Sequence, residues 1–168
     1  MQTFYMTDAG KVRTHNEDSV IIVSNKNNEF ILAVADGMGG HKAGEIASNI
    51  AIEHIVQSFE SMETIGKKEE GIDWLRKIVK EINEKIFEYT SIHPESKGMG
   101  TTLVLALVTP EYILFGNIGD SSGFVMKNNH LHKVTHDHTL VNLLVTAGEL
   151  TEEEARNHPR KNILMNAL

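Results

Sequence analysis

Phe30-Ile31-Leu32-Ala33-Val34-Ala35 runs without a break into Asp36-Gly37-Met38-Gly39-Gly40-His41. A short, continuous apolar run of this kind reads as a strand buried on both faces. It delivers an aspartate into a glycine turn, which fixes that carboxylate at a strand end. The two oxygens of Asp36 can bridge two cations, and Gly37 has no side chain to keep its carbonyl from a metal. Hard cations such as Mg²⁺ and Mn²⁺ take this all-oxygen shell together with waters. Asp-Gly is equally at home in a plain turn, so the segment alone leaves both readings open.

Two further acidic segments flank it in the chain. In Arg13-Thr14-His15-Asn16-Glu17-Asp18 the guanidinium of Arg13 can fork two hydrogen bonds onto phosphate oxygens. Glu17 and Asp18 are neighbours, so in an extended segment they face opposite ways and only one points easily toward Asp36. By itself the hexapeptide reads as a solvated, charged loop. Asn117-Ile118-Gly119-Asp120-Ser121 again puts an acid at a strand end, where the plain alternative is a hairpin turn. Gly98-Met99-Gly100-Thr101-Thr102 lacks the lysine and following helix of a phosphate-binding P-loop and suggests close backbone packing instead. His130, His132, His136 and His138 alternate as on a strand face but fit no standard zinc spacing. His41 follows the glycine turn and could reach a leaving group as general acid. His15, His54, His93 and His158 read as surface residues.

Around these segments the pattern predicts strands at Ser19–Ser24 and Phe30–Ala35, joined by the Asn25-Lys26-Asn27-Asn28 turn. A helix follows over Gly44–Phe59 and a polar loop over Glu60–Gly71. A second helix is capped by Asp73 and ends at His93-Pro94. Thr101–Val108, Tyr112–Ile118, Gly123–Lys127 and Leu131–Thr135 read as successive antiparallel strands, with Thr109-Pro110-Glu111 and Asn128-Asn129 as tight connections. Short helices are expected over His138–Ala147 and from Thr151, which opens a capping box. The order predicts an α+β fold of antiparallel sheet covered by helices.

The 168 residues suit one domain or part of one; 40% are apolar and 23% charged. A formal net charge of −7 with no basic stripe argues against a nucleic-acid partner. The absence of cysteine excludes disulfides and thiolate metal sites. Met1–Gly10 has neither a basic start nor an apolar stretch, and no apolar run is long enough to span a bilayer. The expectation is a cytoplasmic protein without a membrane partner. Asn162–Leu168 is apolar and uncharged, so the chain reads as the front part of a longer domain.

In order along the chain, Gly10-Lys11-Val12-Arg13 with Asn16-Glu17-Asp18, then Asp36-Gly37-Met38-Gly39-Gly40-His41 with Gly44-Glu45, closely resemble the metal-dependent protein phosphatases of the PPM (type-2C) family. Gly98–Thr102, Asn117–Ser121, Asp137-His138-Thr139 and His158-Pro159-Arg160 continue the match. The sequence looks most like the bacterial single-domain members that oppose serine/threonine kinases. The resemblance implies an antiparallel β-sandwich flanked by helices (α-β-β-α) over residues 1–168, incomplete at the C-terminus, with a mobile flap over about 147–166. It implies that Asp36 bridges two Mn²⁺ or Mg²⁺ ions, one also held by the Gly37 carbonyl, and that Asp120 helps form a third site. Glu17 and Asp18 would order water in the outer shell, Arg13 would grip the phosphate, and His41 is a further candidate for proton transfer.

The implied activity is hydrolysis of phosphoserine and phosphothreonine in proteins by a metal-activated water, opposing a cognate kinase. Two departures stand against the pattern. Ser122 occupies a position where the family usually has arginine, and the later Ser-Asp-Gly and Asp-Asn motifs, which supply two further metal aspartates, are missing. The piece alone is therefore expected to be weakly active or inactive. The alternative is a non-catalytic module of the same fold that binds phosphoprotein or kinase.

Overall fold

The computed structural model describes residues 1–40 and 42–168; the proton-transfer candidate His41 lies outside the described residues. Strand β1 (Asp18–Ser24) and strand β2 (Phe30–Met38) form an antiparallel hairpin. Its turn is held by Glu29, which is only 3% exposed. The Glu29 carboxylate accepts hydrogen bonds from the Asn25 side-chain amide (2.6 Å), the Ile65 N–H (2.7 Å) and the Thr64 hydroxyl (3.0 Å). Satisfied in this way, a buried acid is tolerated. The locked turn sets the hairpin register, and that register puts Asp18 opposite Asp36 at the far end.

β2 is central. Beyond it lie β4 (Leu103–Val108) and β5 (Ile113–Ile118), while the two-residue β3 (Gly100–Thr101) continues the pairing alongside Gly37 and Met38. Helices α1 (Ala43–Glu60) and α2 (Lys68–Ile92) cover one face of this sheet. The core joins Ile31, Ala33 and Ala35 of β2 and Leu103, Leu105 and Leu107 of β4 to Ala47, Ala51, Ile55 and Phe59 of α1 and Ile78, Ile82 and Ile86 of α2. Each large side chain buried there contributes about 1.5–3 kcal/mol. Alanines on both surfaces let α1 lie close to β2, which brings the start of the helix against Gly37. Phe59 and Trp74 meet as tilted rings 5.6 Å apart, a geometry that favours aromatic pairs.

A second sheet is the ribbon of β6 (Phe124–Lys127) and β7 (His130–Lys133), closed by Asn128 and Asn129 at φ 50° and 60°. Helix α3 (Leu140–Thr146) follows, then α4 (Glu152–Asn157), where Thr151 and Glu154 exchange the two bonds of a capping box. The chain then turns back. Leu140 N–H donates to the Ile163 carbonyl (2.9 Å) and Met165 N–H to the His138 carbonyl (2.7 Å). Leu168 and Thr101 exchange two backbone bonds at 3.0 Å. Among the described residues no helix is long and apolar enough to cross a membrane.

The α+β class with antiparallel sheets and helices is what the sequence predicts, but four readings need correction. β2 does not end at Ala35. It continues through Asp36 and Gly37 to Met38, so the aspartate lies inside the strand. Nor is β2 buried on both faces: Ile31, Ala33 and Ala35 face the helices, whereas Leu32 is half-buried and Val34 is exposed. An apolar run cannot by itself say which of its faces is covered. Asp73 does not cap α2; the helix starts five residues earlier at Lys68, where the Glu70 carboxylate accepts the Lys67 N–H (2.7 Å). Finally, the strands after Gly100 do not form one meander, because β5 and β6 belong to different sheets.

Candidate metal and phosphate site

The site is built where β1, β2 and the turn after β5 converge. Gly37 N–H donates to the Glu17 carbonyl (3.1 Å). In an antiparallel ladder the next pair along is therefore the non-hydrogen-bonded one, in which side chains stand closest. That pair is Asp18 and Asp36. The sequence leaves open which of Glu17 and Asp18 meets Asp36; the register selects Asp18.

The glycines make the approach of α1 possible. A Cβ on Gly37 would overlap the Gly44 carbonyl and stand 2.6 Å from the Glu17 carbonyl oxygen. One on Gly44 would come within 2.9 Å of the Glu17 carboxylate. Glu17 thus directs its side chain to the first turn of α1, away from Asp36. Buried Ser48 donates to the Glu17 carbonyl (2.7 Å) and ties that backbone to the helix.

The electrostatics register the convergence. Asp36 holds its proton above the ordinary carboxylate range. Partial burial is the main cause, the facing Asp18 carboxylate the next, and Asp120 adds to it, while the Arg13 guanidinium works the other way. Asp18, Asp120 and Arg13 thus each bear on the charge of Asp36. Arg13 sits in the irregular segment before β1 and makes no ion pair among the described residues. Asp120 follows Gly119, whose φ of +102° turns the chain out of β5.

Among the described residues, no three histidine, aspartate or glutamate side chains converge tightly enough to cage an ion unaided. What is present is anionic and all oxygen: Asp18 and Asp36 face each other across the hairpin, and Asp120 is near enough to raise the Asp36 pKa. Mn²⁺ and Mg²⁺ are held by few carboxylates and keep several waters, so this donor set fits such ions and no softer metal.

Asp120 also borders a cleft of about 1220 Å³ lined by Lys133, Asp137, Asn142, Arg156 and Lys161. Asp137 has two partners there, the Lys133 ammonium (2.6 Å) and the Ser122 hydroxyl (3.2 Å). A lysine on β7 thus answers the acid where Ser122 carries no charge of its own. The alternating histidines form no metal cluster among the described residues. His130 and His132 are exposed on β7, while His138 accepts the Gly119 N–H on Nδ1 (3.3 Å).

Two histidines read as plain surface are engaged. His54 bonds Glu81 between α1 and α2 (3.0 Å), and the His93 ring stacks on Tyr89 at 4.1 Å. Thr102 and Ser48, which hold the backbone of Asp36 and Glu17, carry no spacing signal. Their partners are 66 and 31 residues away.

Residues 9–167 match the family model for protein phosphatase 2C. The serine/threonine phosphatase stp of Listeria welshimeri is 43% identical over the whole chain, which covers 67% of that protein. The crystal structure of serine/threonine phosphatase Stp1 from Staphylococcus aureus superimposes with a TM-score of 0.90 at 40% identity, over 97% of this chain and 64% of that one. A catalytic domain of the phosphatase PstP, crystallised with two manganese ions, gives 0.76 at 34% identity, over 95% of this chain and 63% of that one. The chain thus spans about two thirds of the length of the relatives it matches. With a matching family model across nearly all of its length, the chain belongs to the protein phosphatase 2C family.

Proposed function

We propose that this protein is a metal-dependent serine/threonine phosphatase that hydrolyses phosphoserine and phosphothreonine esters in proteins, opposing a kinase in the cytoplasm. The observation that supports this most is the facing of Asp18 and Asp36 across the hairpin, with Asp120 raising and Arg13 lowering the Asp36 pKa. Carboxylates so paired repel one another, and a bound cation would relieve that repulsion. A fold that maintains them at a surface cleft is suited to holding one.

Asp36 and the Gly37 carbonyl would hold Mn²⁺ or Mg²⁺, with two ions at that position and Asp120 contributing to a site for a third. Such ions, when bound, supply Lewis-acid stabilisation of the phosphoryl charge and bring the pKa of water from near 16 toward about 7. The chain's own groups do the rest. Asp18, facing Asp36 across the hairpin, and Glu17, at the first turn of α1, order water around the site as hydrogen-bond acceptors. Arg13 forks two N–H groups onto the phosphate oxygens and holds the phosphorus in line for attack. It also balances charge that builds on those oxygens in the transition state. His41 is the candidate to protonate the departing serine or threonine oxygen. With no cysteine, the chain offers no thiolate for a phosphocysteine intermediate. Residues 147–166, which carry α4 beside the Asp120 cleft, would act as a flap over bound phosphoprotein.

The test is release of phosphate from a phosphothreonine peptide by the full-length protein. Activity is expected to depend on added Mn²⁺ and to be lost in Asp36→Asn. Undiminished turnover in excess chelator would refute the metal-dependent reading.

A further inference from the structure

The ladder between β2 and the β3–β4 strand is irregular at one pair. Asp36 and Thr102 are opposite residues, since the flanking pairs are Gly37 with Thr101 and Val34 with Val104. Thr102 N–H donates to the Asp36 carbonyl (2.9 Å) in the ordinary way. The return bond is different: Asp36 N–H donates to the Thr102 hydroxyl (3.1 Å) rather than to its carbonyl. That carbonyl instead accepts the Thr101 hydroxyl (2.9 Å).

The Thr102 hydroxyl has a second partner, Ser121 Oγ at 2.7 Å. With a lone pair taken by the Asp36 N–H, its proton is available to Ser121. The Thr102 methyl fills the space beside Gly119, where a Cβ would come within 2.6 Å of it. Thr102 is 3% exposed, so both contacts are made away from bulk solvent. One buried side chain thus joins the backbone of Asp36 to the turn carrying Asp120, by hydroxyl on one side and methyl on the other.

We propose that Thr102 is a positioning residue that sets the separation of Asp36 and Asp120 and so tunes cation affinity at both. This rests on the metal-site reading above. A ladder carbonyl could have held Asp36 equally well but could not have reached Ser121. A hydroxyl can serve both, because it accepts from one partner while donating to the other.

The test compares Thr102→Val, which keeps the shape and removes the hydroxyl, with Thr102→Ser, which keeps the hydroxyl and removes the methyl, in the full-length protein. The first readout is hydrogen exchange of the Asp36 amide without metal. It should quicken about tenfold or more in Thr102→Val and stay near wild type in Thr102→Ser. The second is Mn²⁺ binding by calorimetry. The dissociation constant should rise about 10–100-fold in Thr102→Val, with most of the loss recovered in Thr102→Ser. Wild-type exchange at Asp36 in Thr102→Val, or equal impairment of the two variants, would overturn the proposal. A wild-type protein that binds no Mn²⁺ would instead sink the metal-site reading, and the exchange comparison would still decide the role of Thr102.

Discussion

Asp18 and Asp36 face each other across the β1–β2 hairpin as a non-hydrogen-bonded pair, so two acids share the closest cross-strand spacing an antiparallel sheet offers. Like charges so placed oppose folding unless a cation or a proton intervenes.

The first prediction concerns pH. Asp36 takes up its proton more readily than its ordinary value of 3.8 implies. A carboxyl raised in the folded state makes its full contribution to stability below the unfolded pKa. That contribution is lost as pH rises through the folded pKa. In chelator, the wild type is therefore expected to lose stability relative to Asp36→Asn as pH climbs through the range above 3.8. Denaturant melts across that range measure it, and a constant difference would contradict it.

Asp18→Asn separates the two roles of the pair. The substitution removes the like charge, so the metal-free protein should become more stable near neutral pH. Mn²⁺ affinity should fall about 10–100-fold, the usual cost of losing an outer-shell partner. Calorimetric titration beside a metal-free melt reads both. A variant that is less stable without metal would oppose this account of the pair.

Gly37→Ala forces a Cβ into the Gly44 carbonyl. Backbone on both sides gives little room to yield, so a loss of about 1–3 kcal/mol is expected, the ordinary cost of overpacking. Urea unfolding gives the number. A neutral result would mean that α1 shifts freely against β2.

Arg13→Lys keeps the charge and loses the fork. If Arg13 grips phosphate through paired bonds, kcat/KM for a phosphopeptide should drop about 10–100-fold, corresponding to the loss of about 1.5–3 kcal/mol of charge-assisted hydrogen bonding. The loss should be milder in Arg13→Lys than in Arg13→Ala. Indistinguishable kinetics for wild type and Arg13→Lys would remove the bidentate role.

The helix pair carries its own titration. The hydrogen bond from His54 is the main cause holding the Glu81 carboxyl below its ordinary 4.5. A lowered carboxyl contributes stability above the unfolded pKa, and that contribution is lost as pH falls through the folded one. Glu81→Gln should therefore narrow the gap to wild type below about pH 4.5, as seen in paired acid melts.

Much of this was legible from residues alone. The apolar run before Asp36, the helical stripes of α1 and α2 and the Asn128-Asn129 turn all follow from local rules. Parity along an extended chain limited the Asp36 partner to one of Glu17 and Asp18. The choice between them depends on a register set by the Glu29 turn at the other end of the hairpin, which local spacing does not encode. The start of α2 was missed because Asp73 looks like a cap, whereas Glu70 reaches back to Lys67 and makes a better one. Thr102 was invisible as an anchor because its role exists only once β2, β4 and the Asp120 turn are assembled.

The backbone bonds from Leu140 to Ile163, from Met165 to His138 and between Leu168 and Thr101 pinch the chain into a closed noose around α3 and α4. The entropy of closing that loop is already spent in the folded state. Any movement of these helices, which line the Asp120 cleft, would have to bend the chain near the Thr139–Leu164 bridge. Such a movement would be felt at Gly119, whose carbonyl accepts the His138 N–H, and at Thr101, which pairs with Leu168.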